Sequence, residues 1–260
     1  MYAGFNLIDR NNHFDKYIPV GKSLFEINES QVKATLASFV DGDGNLNASK
    51  MQANWFPTLD AQIFISHSHQ DKEKALGLSG WLKKEFGLVS FIDSCVWGHA
   101  DDLLRMIDEE YCLSPGGATY DYQKRNRSTS HVHMMLSIAL SKMMDRTECL
   151  IFLNTPSSIT PESVIKGNET TQSPWIYSEI AMTRLVRRRM PTEHRMLVKA
   201  DSIRMKAAVE SLQFQYEVEL DHLAHLSLAQ LNTWHAICAK RHVTGTDTLD
   251  VLYDLHKNIS

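Results

Sequence analysis

No stretch of this chain approaches the ~20 consecutive apolar residues that a membrane-spanning helix needs, so no helical span is expected. The opening residues, MYAGFNLIDRNNHFDKYIP, lack a basic start followed by an apolar core, so no secretory leader is expected and a cytoplasmic location is the default reading. Cysteine is sparse. Cys95, Cys112, Cys149 and Cys238 contain no C-x-x-C pair, which argues for reduced thiols rather than a disulfide framework. The 12 histidines are scattered, and His131 and His133 are spaced so that a helix would turn them apart, so no metal site is expected. An excess of positive charge is also missing. The net charge of −4 gives no general pull toward nucleic acid or anionic membrane, and neither is expected as a partner. Three glycine signatures are absent as well: G-x-G-x-x-G, G-x-x-x-x-G-K-[ST] and G-x-S-x-G. Their absence removes support for a dinucleotide-binding dehydrogenase, a P-loop ATPase and a serine hydrolase with a nucleophile elbow.

What is present is an ordinary globular composition, with 43% hydrophobic and 22% charged residues over 260 positions, ample for a real core. Residues 1–58 read as an N-terminal extension, with helical spacing in SLFEINESQVKATLASFV (23–40). The alternation of Asp41, Asp43, Asn45 and Asn47 invites a calcium reading, but a calcium loop wants glycine at its sixth position and glutamate at its twelfth. Here those are Leu46 and Gln52, so a turn capping the next short helix is the better account. From residue 61, short apolar runs alternate with helical segments. Strands are expected at 62–66, 88–93, 149–155 and 195–200, and helices at 71–87, 101–111, 130–146 and 173–185. A polar loop is expected between 112 and 130. The continuous apolar run CLIFLNT (149–155) has the character of a central parallel strand buried on both faces. Strands alternating with helices imply a parallel, doubly wound α/β sheet over about 59–200. Residues 201–260 are expected to complete that domain or form a small helical appendage, with helical spacing over 221–240.

In such a sheet the ligand crevice lies outside the carboxyl ends of the strands. The segments that follow the expected strands are Ser66–Asp71, Asp93–Asp102 and the NTPSSI stretch from Asn154, all dense in hydroxyls, imidazoles and carboxylates. Ser66 and Ser68 could equally cap the next helix, and Asp93 could simply end a strand. The helix opened by SPWIYSEIAMTRL (173–185) carries Trp175 and Glu179 one turn apart, with Ser173 and Pro174 as a start signal. A carboxylate in line with a tryptophan on a helix with a buried face is either a solvated residue or a catalytic acid. The basic run Arg187–Arg189 is the best nucleic-acid candidate, and a helix C-terminus that favours cations is sufficient to explain it.

Taken together, QIFISHSHQDKE, FGLVSFIDSCVWGHADDLL, CLIFLNTPSSI and SPWIYSEI resemble the Toll/interleukin-1 receptor (TIR) domain family in its bacterial form, over about residues 60–200. The resemblance implies a flavodoxin-like fold, with the loop Ser66-His67-Ser68-His69-Gln70-Asp71 after the first strand. It also implies a flexible loop at Asp93–Ala100 beside the active site. The family's W-x-x-x-E signature falls on Trp175 and Glu179, which makes Glu179 the expected catalytic carboxylate. Ser66, His67, Ser68, Asp93, Ser94, Trp97 and Trp175 are the expected substrate-binding residues. The segment 112–130 and the 58 N-terminal residues depart from the family pattern.

The implied activity is cleavage of NAD+ at the nicotinamide–ribose bond, with NAD+ as substrate and no separate cofactor. The product would be an ADP-ribose-derived signal in anti-phage defence of the Thoeris kind. The resemblance further implies a homo-oligomer through TIR–TIR contacts, a separate effector protein that responds to the product, and a phage component as trigger. A raised Glu179 pKa through desolvation is part of the same expectation. Two alternatives stay open: a non-catalytic TIR interaction module, and a nucleoside deoxyribosyltransferase-like enzyme.

Overall fold

The computed structural model of the chain describes residues 1–9, 11–29, 36–40, 46–92, 94–114, 116–117, 119–160, 170–197, 216–217 and 220–256. Seven strands are described: β1 (Ala3–Ile8), β2 (Ile63–Ser66), β3 (Ser90–Ile92), β4 (Cys149–Asn154), β5 (Thr170–Thr171), β6 (Tyr216–Glu217) and β7 (Ala224–Leu226). Five of them make one sheet in the order β3-β2-β4-β1-β7, and β5 and β6 form a separate antiparallel pair. Every pairing in the main sheet is parallel. The apolar run expected to be a central strand is β4, with β2 on one side and β1 on the other.

Helices α1 (Ile18–Glu29), α2 (Ala48–Trp55), α3 (Lys72–Phe86), α4 (Ser94–Tyr111), α5 (Tyr122–Arg146), α6 (Pro174–Leu185), α7 (Pro191–Leu197), α8 (Leu228–Arg241) and α9 (Asp247–His256) surround the sheet. Successive strand side chains point to opposite faces, and the core divides accordingly. Phe64, Phe91, Leu150 and Phe152 pack under α2, α4, α5 and α6, with Trp55, Leu103, Leu136, Ile176 and Ile180. Phe5, Leu7, Ile63, Ile65, Ile151 and Leu153 pack under α3, α8 and α9, with Leu78, Leu82, Trp234 and Leu252. Each fully buried Leu, Ile or Phe contributes about 1.5–3 kcal/mol, so a strand with two apolar faces is anchored twice over. The Phe86 and Trp234 rings stack at 4.0 Å, and Trp234 Nε1 donates to the Thr248 carbonyl at 2.7 Å, which ties α3, α8 and α9 together. No helix among the described residues is long and apolar enough to cross a membrane.

Several expectations need correction. Residues 1–58 are not a helical extension outside the sheet, because β1 lies between β4 and β7. Its Ala3, Phe5 and Leu7 alternate with Gly4 and Asn6, and only the first set belongs to an apolar core. No strand forms over Arg195–Leu197. These residues lie in α7, whose start is closed by Glu193 accepting from the Met190 N–H at 3.0 Å, while residues 198–200 lie outside the described residues. The segment Ser94–Ala100 is helical rather than an irregular loop, continuous with the stripe Ala100, Leu103 and Ile107 that buries α4. The 112–130 loop is shorter than expected, since Asp121 caps α5 by accepting from the Lys124 N–H at 2.9 Å. In that helix Arg125 Nε and Ser128 Oγ both donate to buried Asp108 of α4. The tail contributes edge strand β7 and then α8, which begins with a capping box between Ser227 and Gln230. The calcium-like positions 41–45 lie outside the described residues.

Candidate functional site

The chain leaves β2 for α3 on one face of the sheet, and it leaves β4 toward α6 on the other face. The carboxyl ends of β2 and β4 are therefore the point where the chain switches faces, the place where open α/β sheets bind ligands. Ser66 ends β2, Asn154 ends β4 and Thr155 follows it. Glu179 reaches this edge from α6. The helix starts as the sequence suggests: Ser173 Oγ accepts from the Ile176 N–H at 3.3 Å, and Pro174 occupies the first turn. Ile176 and Ile180 seat the helix on the sheet, and Glu179, beside Ile180, turns inward with them.

Ser66 Oγ donates to Glu179 Oε2 at 2.6 Å, and the two residues are 0% and 2% exposed. This is a charge-assisted bond inside the protein between positions 113 residues apart. It fixes the rotamer of the carboxylate and answers part of its desolvation. Ser66 is thus engaged with Glu179 rather than with a helix start, and Ser68, one residue before the helical turn His69–Asp71, makes no side-chain cap bond.

A second buried cluster lies at the same edge. Thr155 Oγ1 donates to Asp71 Oδ2 at 2.5 Å, and Ser158 Oγ donates to the Leu153 carbonyl at 3.1 Å. These bonds hold the turn after β4 against the start of α3. His67 and Ser94 are also buried at this edge, at the ends of β2 and β3. Trp175 is half-buried and meets the His133 ring of α5 edge-on at 5.8 Å, so it packs between helices one turn before Glu179. Burial, opposed by the charge of Asp101, holds the His133 pKa below its ordinary value. Asp93 lies outside the described residues, as does the side chain of Trp97. Among the described residues no group of three or more His, Cys, Asp or Glu is arranged to hold a metal ion.

Strand β1 brings two polar residues to this region that the sequence reading did not single out. Asn6 is in register with Phe152, and Phe152 with Ser66, so the three share the face under α6. Asp9, just past the end of β1, is 1% exposed, and its Oδ1 accepts from the Asn11 N–H at 3.0 Å. Asn6 Oδ1 and Asp9 Oδ2 have no hydrogen-bond partner among the described residues. The signal that would have exposed both is the two-residue alternation Ala3, Phe5, Leu7.

Compared with family models, with curated proteins and with solved structures, the chain matches none of them.

Proposed function

We propose that the chain is an NAD+-cleaving enzyme of the TIR type, with Glu179 as its catalytic carboxylate. The single observation that carries this reading is the buried Ser66–Glu179 pair, 2.6 Å apart, at the carboxyl ends of the neighbouring strands β2 and β4. The order of motifs along the chain supports it from the sequence side, and a doubly wound TIR arrangement of the sheet is part of the proposal.

The chemistry suits one carboxylate. Nicotinamide leaves NAD+ as a neutral molecule, because the C–N bond electrons quench the pyridinium charge and no proton has to be supplied. Positive charge then develops on the ribose ring carbon and oxygen, as in glycoside cleavage. A carboxylate held in place in a water-poor site stabilises that charge without reorganising. Ser66 keeps Oε2 of Glu179 in position, which leaves the carboxylate to face the ribose as a prearranged anion. The ring carbon is finally captured by water, or by a nucleophile within the ADP-ribose moiety. The first gives ADP-ribose and the second a cyclic product. Glu179 is 2% exposed, so turnover requires that the cover over it move. In this reading assembly of TIR domains into a homo-oligomer, triggered by a phage component in the cytoplasm, supplies that movement, and a separate effector responds to the product.

The test is incubation of concentrated protein with NAD+, followed by mass spectrometry of the small molecules. Nicotinamide and an ADP-ribose species are expected, reduced at least about 100-fold in Glu179→Gln while the fold is retained. Equal nicotinamide release from Glu179→Gln would remove the carboxylate from the mechanism. Absence of release from the native protein, alone and with infected-cell lysate, would favour the non-catalytic interaction module.

A further inference from the structure

The basic run that closes α6 is divided by the structure into two parts. Arg189 is held by Asp145 through two bonds, Nη1 to Oδ1 at 2.7 Å and Nη2 to Oδ2 at 2.9 Å. Arg184 and Arg188 instead line a cleft of about 780 Å³ at the amino edge of the sheet, opposite to the Ser66–Glu179 pair. Its walls are the starts of β1 and β7, the end of α6, and the last turns of α9. Volumes of roughly 300–1,000 Å³ are typical of small-molecule sites.

The polar lining described is mostly basic. Among the described residues the lining carries Arg184, Arg188, His222, His225 and His256 and one carboxylate, Asp221, in a chain whose net charge is −4. Both arginines are held in place. Arg184 Nε donates to His222 Nδ1 at 3.1 Å, which leaves the His222 proton on Nε2 to donate to Thr183 Oγ1, and Thr183 in turn donates to the Ile180 carbonyl at 2.6 Å. Arg188 Nε donates to the Tyr2 carbonyl at 3.1 Å, with its guanidinium 5.4 Å from the Tyr2 ring centroid. Its other N–H donors have no partner among the described residues. His256 Nε2 is buried with no hydrogen-bond partner among the described residues, and burial, with the neighbouring His225, holds the His256 pKa below its ordinary value. Phe5, Leu223 and Tyr253 give the cleft an apolar wall.

We propose that this cleft is a second binding site, for a small phosphate-bearing molecule whose phosphate is taken by Arg184 and Arg188 and whose apolar or flat body lies against Tyr2, Leu223 and Tyr253. Guanidinium groups match phosphate oxygens in pairs and are the side chains of choice for such recognition. The enclosure by two strands and two helices favours a compact ligand over a nucleic-acid strand, which would need an open basic track.

The test uses inorganic pyrophosphate as the probe, with isothermal titration calorimetry on the full chain. Saturable one-to-one binding is expected, weakened at least about tenfold in Arg184→Gln and in Arg188→Gln, equivalent to about 1.4 kcal/mol. Both arginines are exposed, and Arg184→Gln keeps the test decisive if the loss of the Arg188–Tyr2 contact disturbs folding. Glu179→Gln is expected to leave the affinity unchanged, which separates this site from the proposed catalytic one. No saturable binding, or an affinity in both arginine variants equal to that of the native protein, would overturn the proposal. So would weakening by Glu179→Gln, or a preference for a 20-nucleotide single strand that depends on Arg187.

Discussion

The pairing of Ser66 with Glu179 can be tested without any assumption about activity. Ser66→Ala removes the donor to a carboxylate that is 2% exposed. Hydrogen bonds to charged groups are worth about 1.5–3 kcal/mol, and a buried acceptor that loses its donor keeps its desolvation penalty. The expected cost is therefore about 2 kcal/mol, or a fall in Tm of about 4–8 °C for a chain of this size. Glu179→Leu has a different expected outcome. Replacing a buried charged group with an apolar side chain of similar volume is often neutral or stabilising, so the variant is expected to lie within about 1 kcal/mol of the native protein. With the carboxylate gone, Ser66→Ala costs little, because the buried hydroxyl it removes has lost its acceptor. The double-mutant cycle, read by urea unfolding at pH 7, is expected to give a coupling energy of about 1.5–3 kcal/mol. A coupling below about 0.5 kcal/mol would show that the hydroxyl and the carboxylate are not paired, and the site argument would fall with it.

Two further predictions concern the scaffold. A Cβ on Gly80 would lie 2.1 Å from the Tyr17 carbonyl oxygen, so Gly80→Ala forces the segment before α1 away from α3; a loss of about 1–3 kcal/mol is expected in denaturant unfolding, and an unchanged midpoint would refute the close approach. His194 is 4% exposed, and burial, with the Met1 amino group and Arg189 nearby, lowers its pKa to about 4. Because the folded value lies below the ordinary 6.5, the unfolded chain binds the proton more readily, so its contribution is full above pH 6.5 and is lost as pH falls toward 4. The loss approaches about 3 kcal/mol, and His194→Gln is expected to flatten the pH dependence in that window; parallel curves for variant and native protein would refute it.

What was legible in the sequence follows from how local each signal is. CLIFLN announces β4 because a strand buried on both faces needs no alternation, and all five of its first residues are buried. Gly87 ends α3 with φ 72°, a left-handed cap that glycine adopts at no steric cost, and Ser173-Pro174 open α6. Glu179 was legible as a candidate because its helix was. Its partner was legible only as one hydroxyl among several, since no pattern within the chain joins positions 66 and 179. Strand β1 was missed because its second face carries Gly4 and Asn6 in place of apolar residues; Gly4 is small there because Leu223 comes within 2.6 Å of where a Cβ would be. RML at 195–197 looked like the opening of a strand because it begins the short, mostly apolar run RMLVKA. In the structure Arg195 bridges Glu148 and Asp250, a long-range demand that holds α7 in place and that no local propensity reports. The amino-edge cleft was out of reach for the same reason, since its walls come from residues 1–5, 183–188, 221–230 and 253–256.

The sheet order carries a consequence for what counts as the functional unit. The order β3-β2-β4 is what a chain produces when it lays one strand beside its first and then crosses back to the other side. A chain that continued in the same way would fill the next positions from the segment after β4. Here those positions are taken by β1 and β7, from near the two ends of the chain. Removing residues 1–58 would therefore open the sheet between β4 and β7 and expose the backbone of the strand with the most apolar faces. An unpaired edge of that kind is a template for aggregation. The same insertion places Asp9 at the carboxyl edge and Asn6 on the face shared with Ser66. The surroundings of Glu179 thus draw on the first residues of the chain as well as on its middle, and a fragment spanning 59–200 alone would lack part of them.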